Sequence, residues 1–307
     1  MKRLLIVILA LLCLPVAAAP KLTRKVHVAS LAFTPDGRAL VVGSQDRLVM
    51  HAVPSLKPLR DLPGHLDAVM GIGFTRDGKR MATASMDRTV RLWEVATGQP
   101  IAKIGPLEDD VLAVSFTPDG KRLAASTYNG VTSLFTLPKT APDAKLQGHV
   151  LSVSPDGRLL ASASVDGKVC LYALPAGRKI AEWTAHKLCI NGIAFSPDGK
   201  RLATSSEQLR VWDVATHRQL ADLDCGKVAL NRVSWRPDGK AIAVASVTRG
   251  GFVWTRAADG EWTRQAIPHG PRVSVLAYSD DGKLAFWGPD NGLVLLDKSL
   301  KLVRKTE

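Results

Sequence analysis

One tripeptide governs what this chain can fold into. Asp-Gly followed by Lys or Arg closes an apolar, strand-like run at seven places: Asp36, Asp77, Asp119, Asp156, Asp198, Asp238 and Asp281. Successive copies are 41, 42, 37, 42, 40 and 43 residues apart. Asp-Gly is a hairpin signal because glycine takes positive φ without steric cost. Five of the seven copies carry Pro directly before Asp, which presets the first turn dihedral.

The flanks alternate as strands do. Val111 to Phe116 precedes one turn and Arg122 to Ser126 follows it. A second tight turn leads to a third strand such as Thr89 to Trp93, and a more polar fourth such as Pro100 to Ile104. Helical periodicity is absent. Four short strands per period of about 40 residues match the blade of a β-propeller. One such sheet cannot bury both faces, whereas seven packed in a ring can. The sequence therefore predicts an all-β, seven-bladed β-propeller with four antiparallel strands per blade. Its blades are placed near 27–64, 65–106, 107–148, 149–185, 186–225, 226–268 and 269–307, within a domain of residues 19–307. Ring closure stays open between two outer-strand segments, Lys21 to Val26 (KLTRKV) and Leu300 to Thr306 (LKLVRKT).

The N-terminus reads differently. Lys2 and Arg3 precede an apolar run from Leu4 to Val16, and Ala17, Ala18 and Ala19 follow. That is the order of a secretory signal peptide, expected as residues 1–18 with cleavage after Ala18. The apolar run reaches only ~20 Å as a helix, short of the ~30 Å hydrocarbon core. An uncleaved anchor is the alternative. Cleavage implies a periplasmic or secreted protein with no transmembrane segment in the mature chain.

The second repeat, Gly64 to Val95, reads GHLDAVMGIGFTRDGKRMATASMDRTVRLWEV. It closely resembles the WD40 repeat, in which Gly-His precedes the inner strand and Trp-Asp ends the third. The resemblance implies a buried hydrogen-bonded tetrad of His65, Ser85, Asp87 and Trp93, with His149, Ser164 and Asp166 as its counterparts in repeat four. Trp212-Asp213 in repeat five is the only literal Trp-Asp pair. Repeats three and six lack the His, and repeat five lacks the tetrad Asp, with a shortened turn at Glu207. Repeat four is short: His149 to Asp156 spans 7 residues, against 12 from His65 to Asp77. A notch in the ring at blade four is the structural expectation, and a slightly shorter strand without functional meaning is the alternative.

Catalytic and metal signals are sparse. No HExxH, no GxSxG and no GxxxxGK[ST] occurs. Most histidines and aspartates occupy repeat positions, and neither a metal nor a cofactor is expected. Glu108, Asp109 and Asp110 form one separate acidic cluster, read as a solvated loop. Cys170 reads as a small core hydrophobe, while Cys189 and Cys225 are near enough in the repeat to raise the question of pairing.

The leading functional expectation is a non-enzymatic scaffold for protein–protein interaction outside the cytoplasm, acting as a monomeric propeller. Resemblance to WD40 proteins implies a docking face built from the loops before the inner strands and the second turns. Asp67, Met70, Asp110, Tyr128, Asn191, Asn231, Arg249 and Arg272 are the candidate contacts there. A hydrolase or lyase with a site at the channel mouth is the alternative. The net charge of +13 raises a third possibility. In that reading Lys79-Arg80, Lys121-Arg122 and Lys200-Arg201, with Arg38, Arg158, Lys240 and Lys283, form a basic ring that binds an anionic envelope polymer. Export sets nucleic acid aside as a partner.

Overall fold

The computed structural model describes residues 28–306 apart from 46, 227, 247, 270–271 and 289–291. The expected leader (residues 1–18), the segment Lys21 to Val26, His27 and the turn residues Asp46 and Asp290 lie outside the described residues.

The repeated turn carries more chemistry than its three signature residues. In the first copy Thr34 Oγ1 donates to Asp36 Oδ1 at 2.6 Å, and Asp36 Oδ1 accepts the Arg38 N–H at 3.1 Å. The same hydroxyl accepts the Ala39 N–H and donates to the Ala39 carbonyl, tying the turn to the start of the next strand. Thr75–Asp77, Thr117–Asp119, Ser154–Asp156, Ser196–Asp198 and Ser279–Asp281 repeat the hydroxyl–carboxylate bond. In the sixth copy Arg236 replaces the hydroxyl and donates to Asp238. The glycine sits at φ of +64 to +72° in the copies at Gly37, Gly78, Gly120, Gly157, Gly199 and Gly239, a region that costs an L-residue about 1–2 kcal/mol. Each hairpin is thus held by hydrogen bonds among residues close in sequence.

Each hairpin seeds a sheet of four antiparallel strands in chain order, and there are seven such sheets. The first is β1 (Val28–Phe33), β2 (Ala39–Ser44), β3 (Leu48–Ala52) and β4 (Pro58–Asp61). The inner strands of the following blades are β5 (Val69–Phe74), β9 (Val111–Phe116), β13 (Val150–Val153), β17 (Gly192–Phe195), β21 (Val233–Trp235) and β25 (Leu276–Tyr278). Burial follows strand position: β2 is buried throughout, while β4 is exposed or half-buried. The second strands use small residues where neighbouring blades approach, as at the fully buried Ala82 and Ala84.

The core lies between blades. Ala82, Ala84, Val90, Leu92 and Ile104 of blade two pack on Val111, Val114, Phe116 and Leu123 of blade three. Each fully buried Leu, Val or Phe contributes roughly 1.5–3 kcal/mol. The last such layer closes the ring, with Val28, Phe33, Leu40 and Val42 of blade one against Val275, Ala285, Leu293 and Leu295 of blade seven. On the open question of the outer strand, the C-terminal segment provides it: β28 (Leu302–Lys305) pairs with β27 (Leu293–Leu296).

Candidate functional face

Where the tetrad forms, it is a relay through a hydroxyl. Trp93 Nε1–H donates to Thr83 Oγ1 at 2.9 Å. Thr83 in turn bonds His65 Nε2 at 2.7 Å, and His65 Nδ1 bonds Asp87 Oδ2 at 2.8 Å. An ionised carboxylate only accepts, so His65 carries its proton on Nδ1 and its Nε2 accepts from Thr83. Asp87 also accepts from the Leu66 N–H and from the Thr89 N–H and hydroxyl. Burial opposes its charge, yet the His65, Thr89 and Leu66 hydrogen bonds outweigh it and hold the carboxyl well below the usual range.

This corrects the expected membership, because the central hydroxyl belongs to Thr83 and not Ser85. Thr83 lies two residues earlier on the same strand face, within hydrogen-bond reach of His65 and Trp93, whereas Ser85 donates to the Asp67 carbonyl and accepts the Asp87 N–H. Blade five repeats the inner part: His186 Nε2 meets Thr204 Oγ1 at 2.8 Å, and Trp212 Nε1–H donates to the same hydroxyl. Glu207 takes the place of Asp87, but Ser206 holds its carboxylate 3.8 Å from His186 Nδ1. Blade three replaces the relay with Ala125 and Phe135, which removes donor and acceptor together. Such paired removal is nearly neutral, unlike the loss of one partner.

Blade four departs most. His149 precedes its turn hydroxyl Ser154 by five residues, as Met70 precedes Thr75. The deletion therefore moves His149 from the tetrad position to the top of the inner strand, where its N–H donates to the Ala163 carbonyl. No tetrad assembles from His149, Ser164 and Asp166. Ser164 donates to Asp166, Asp166 pairs with Lys168, and His149 Nδ1 is buried without a partner. Burial lowers the His149 pKa, so the ring is neutral. Its Nε2 lies 3.6 Å from Cys189 Sγ. No disulfide joins Cys170, Cys189 or Cys225 to one another, so the Cys189–Cys225 pairing does not occur.

The strand β13 has four residues, against six in β1, β5 and β9; β17 has four, and β21 and β25 have three. A short inner strand is thus not peculiar to blade four. The missing loop nevertheless leaves a cleft of about 330 Å³ lined by Tyr128, His149, Val165, Lys168 and Glu182. The turn bearing Val165 lies against the next loop: a Cβ on Gly167 would meet the Leu188 carbonyl at 3.0 Å. Tyr128, Val165 and Leu188 therefore form one surface over blades three to five.

The other candidate contacts fall into separate roles. Asn191 donates to the Leu230 carbonyl, and the Asn231 carbonyl accepts from Ser205, so both join neighbouring loops. Asp67 accepts the Ala68 N–H, and Asp110 lies 4.0 Å from Arg88. Arg249 and Arg272 are exposed. Met70 stands at the channel mouth, where its carbonyl accepts from Arg232 of the far side at 2.7 Å. Sequence reasoning missed three exposed apolar residues on this face: Leu66 (88%), Val165 (58%) and Leu188 (46%). Their positions in loops that face water were the available signal.

On the opposite face, Arg38, Lys79, Lys121, Arg158, Lys200 and Lys240 are exposed, each beside its own turn aspartate. The turn hydroxyl and backbone bonds hold Asp77 and Asp119 below the ordinary carboxylate range, so both are ionised. The second cation of each doublet is committed between blades. Arg80 donates to the Gly120 carbonyl, Arg122 to the Pro175 carbonyl, and Arg201 lies over Trp235.

A closed ring of seven four-stranded blades, with the His–hydroxyl–Trp relay in two of them, defines a WD-repeat propeller. The chain belongs to the WD40 family (WD domain, G-beta repeat), which matches residues 19–51, 56–94, 98–135, 141–173 and 177–213. Blades six and seven fall outside that match; in blade six Val244 stands at the relay position of Thr83. The chain is similar to the Intraflagellar transport protein 122 homolog of Xenopus tropicalis, 33% identical over 25% of this chain and 7% of that protein. It is also similar to an uncharacterized WD repeat-containing protein of Synechocystis, 34% identical over 24% of this chain and 22% of that protein. A Notchless protein homolog of Arabidopsis thaliana is 34% identical over 21% of this chain and 14% of its own length. The chain thus aligns with less than a quarter of the length of each of these relatives.

Proposed function

We propose that this propeller is a non-enzymatic docking platform that holds a protein partner outside the cytoplasm, on the face formed by Tyr128, Val165 and Leu188. The observation that carries the reading is where apolar surface is exposed. Leu59, Ile101, Ile180, Leu220, Leu302 and Val303 lie on the outer strands, spread singly around the rim. Leu66, Val165 and Leu188 are the large apolar residues exposed on loops among the described residues, and all three are on the same face. Scattered rim residues need no explanation, whereas apolar side chains gathered beside a cleft suit a protein interface. Tyr128 and the cleft supply an aromatic anchor and a pocket; Lys168 and Glu182 supply a polar border.

Placement outside the cytoplasm rests on the Lys2-Arg3, Leu4 to Val16 and Ala17 to Ala19 pattern. The third reading, an anionic polymer on the basic ring, is weakened by the ionised aspartate beside each turn cation. For the enzyme reading, the described channel walls bring together no carboxylate and no imidazole.

The test is capture from an envelope extract by wild type, Val165→Asp, Leu188→Asp and the rim control Leu220→Asp. The expected result is a stoichiometric protein, resistant to high salt, retained by wild type and L220D and lost by V165D and L188D. Equal retention by all four would sink this face as the docking site. Recovery only of acidic polymer, released by salt, would transfer the function to the turn ring.

A further inference from the structure

The deletion in blade four sets an imidazole against a thiol. Displaced from the tetrad position, His149 turns its Nε2 to within 3.6 Å of Cys189 Sγ. The ring is 6% exposed, and its Nδ1 is buried with no hydrogen-bond partner. A polar atom left unsatisfied in the interior is costly, so packing alone does not account for a histidine here. Cys189 lies on the loop between β16 (Arg178–Thr184) and β17. Its sulfur is also 3.4 Å from Asn191 Oδ1, and Asn191 is itself held by its bond to the Leu230 carbonyl. Cys189 is half-buried, whereas Cys170 and Cys225 are 5% and 1% exposed.

A thiol with an imidazole in hydrogen-bond reach is the arrangement that activates a sulfur nucleophile. We propose that Cys189 is a site of thiol–disulfide exchange with a small disulfide, and that His149 receives its proton. The Cys189 sulfur attacks one sulfur of the incoming disulfide, and the thiol proton passes to His149 Nε2. The S–S bond of the reagent breaks as the mixed disulfide on Cys189 forms, and the departing thiolate takes the proton from the imidazolium. The incoming disulfide is the oxidant, and one thiol is released for the one consumed. Burial disfavours a charged His149, so the transient imidazolium gives its proton up readily to the leaving group. The ring also lines the cleft of about 330 Å³, which gives that group room beside it. The charged residues of the cleft, Asp166, Lys168 and Glu182, pair with one another, so the reagent it suits is an uncharged one.

The test follows the reaction of the native protein with bis(2-hydroxyethyl) disulfide, quenched with acid and read by intact and peptide mass. An unperturbed thiol is only about 3% thiolate at pH 7, which leaves room for activation. The expected result is a single adduct, at Cys189, formed at pH 7 about tenfold faster in the native protein than at the same cysteine in the urea-unfolded chain. His149→Asn should remove that difference at pH 7, yet keep the rate within about twofold of wild type at pH 10, where the thiol ionises without help. Cys189→Ser should leave the native protein without an adduct. A native wild-type rate below the unfolded rate marks a cysteine that is only shielded, and overturns the proposal without recourse to a variant. The same pH profile in H149N as in wild type, or an adduct on Cys170 or Cys225 as fast as on Cys189, overturns it too.

Discussion

Thr83→Val is the substitution that tests the relay most directly. Valine matches threonine in shape but has no hydroxyl. The change strands two buried groups: the Trp93 Nε1–H, on a side chain 1% exposed, and the Nε2 lone pair of His65. Each unsatisfied buried group costs about 1–3 kcal/mol, so T83V should lose about 2–6 kcal/mol. Ser85→Ala removes a buried hydroxyl that serves the Asp67 carbonyl and the Asp87 N–H, but both partners sit in half-buried loops beside water. Its cost should be about 1 kcal/mol. At about 2–4 °C per kcal/mol in a domain of this size, T83V should melt roughly 4–24 °C below wild type and S85A roughly 2–4 °C below. Thr83→Ser keeps the hydroxyl and should recover most of the loss. Urea unfolding followed by tryptophan fluorescence gives the free energies, and calorimetry gives the melting temperatures. If S85A costs as much as T83V, or T83S as much as T83V, the relay through Thr83 is not what holds this blade.

Three further outcomes are expected. Burial depresses the pKa of His149 and of His186 below that of a free imidazole, so the folded state resists a proton that the unfolded chain accepts. Stability should therefore be full above about pH 6.5 and fall as pH drops through the folded values; His149→Asn should flatten that slope in a pH series of urea midpoints. Gly167→Ala combines φ +79° with a Cβ 2.1 Å from the His186 carbonyl oxygen, whereas Gly130→Ala at φ +82° meets open space. G130A should cost about 1–2 kcal/mol and G167A clearly more; equal losses by chemical denaturation would refute the contact argument. Cys189 is half-buried, while Cys170 and Cys225 are buried with thiols pushed up chiefly by burial. A thiol reagent followed by peptide mass mapping should label Cys189 first in the native protein and reach the other two only on unfolding.

The ring was legible because its information is local and repeated. Asp-Gly turns at a fixed period specify hairpins, and seven copies of a sheet too thin to bury itself specify the closure. The membership of the relay was less legible. Thr83 and Ser85 each carry a hydroxyl on the same face of one strand, so alternation cannot separate them, and only their distance along it from the Met81–Trp93 pair decides which one reaches His65. His149 misled for a related reason. Gly148-His149 looks like Gly64-His65, but counting back from the turn rather than forward from the histidine aligns it with Met70. Arg232 could not be read at all. Its meaning lies in a bond to Met70, 162 residues away, across a channel that exists only once the ring is closed.

Among the described residues each blade is built from consecutive strands, and no backbone ladder joins blade seven to blade one. That junction rests on the side-chain layer of Val28, Phe33, Leu40, Val275 and Leu293. Tension applied between the first and last blades would meet no row of hydrogen bonds to shear in parallel. It would separate two greasy surfaces, a process resisted by area rather than by register. Among the described residues the ring is in this sense a bracelet whose clasp is held by dispersion forces.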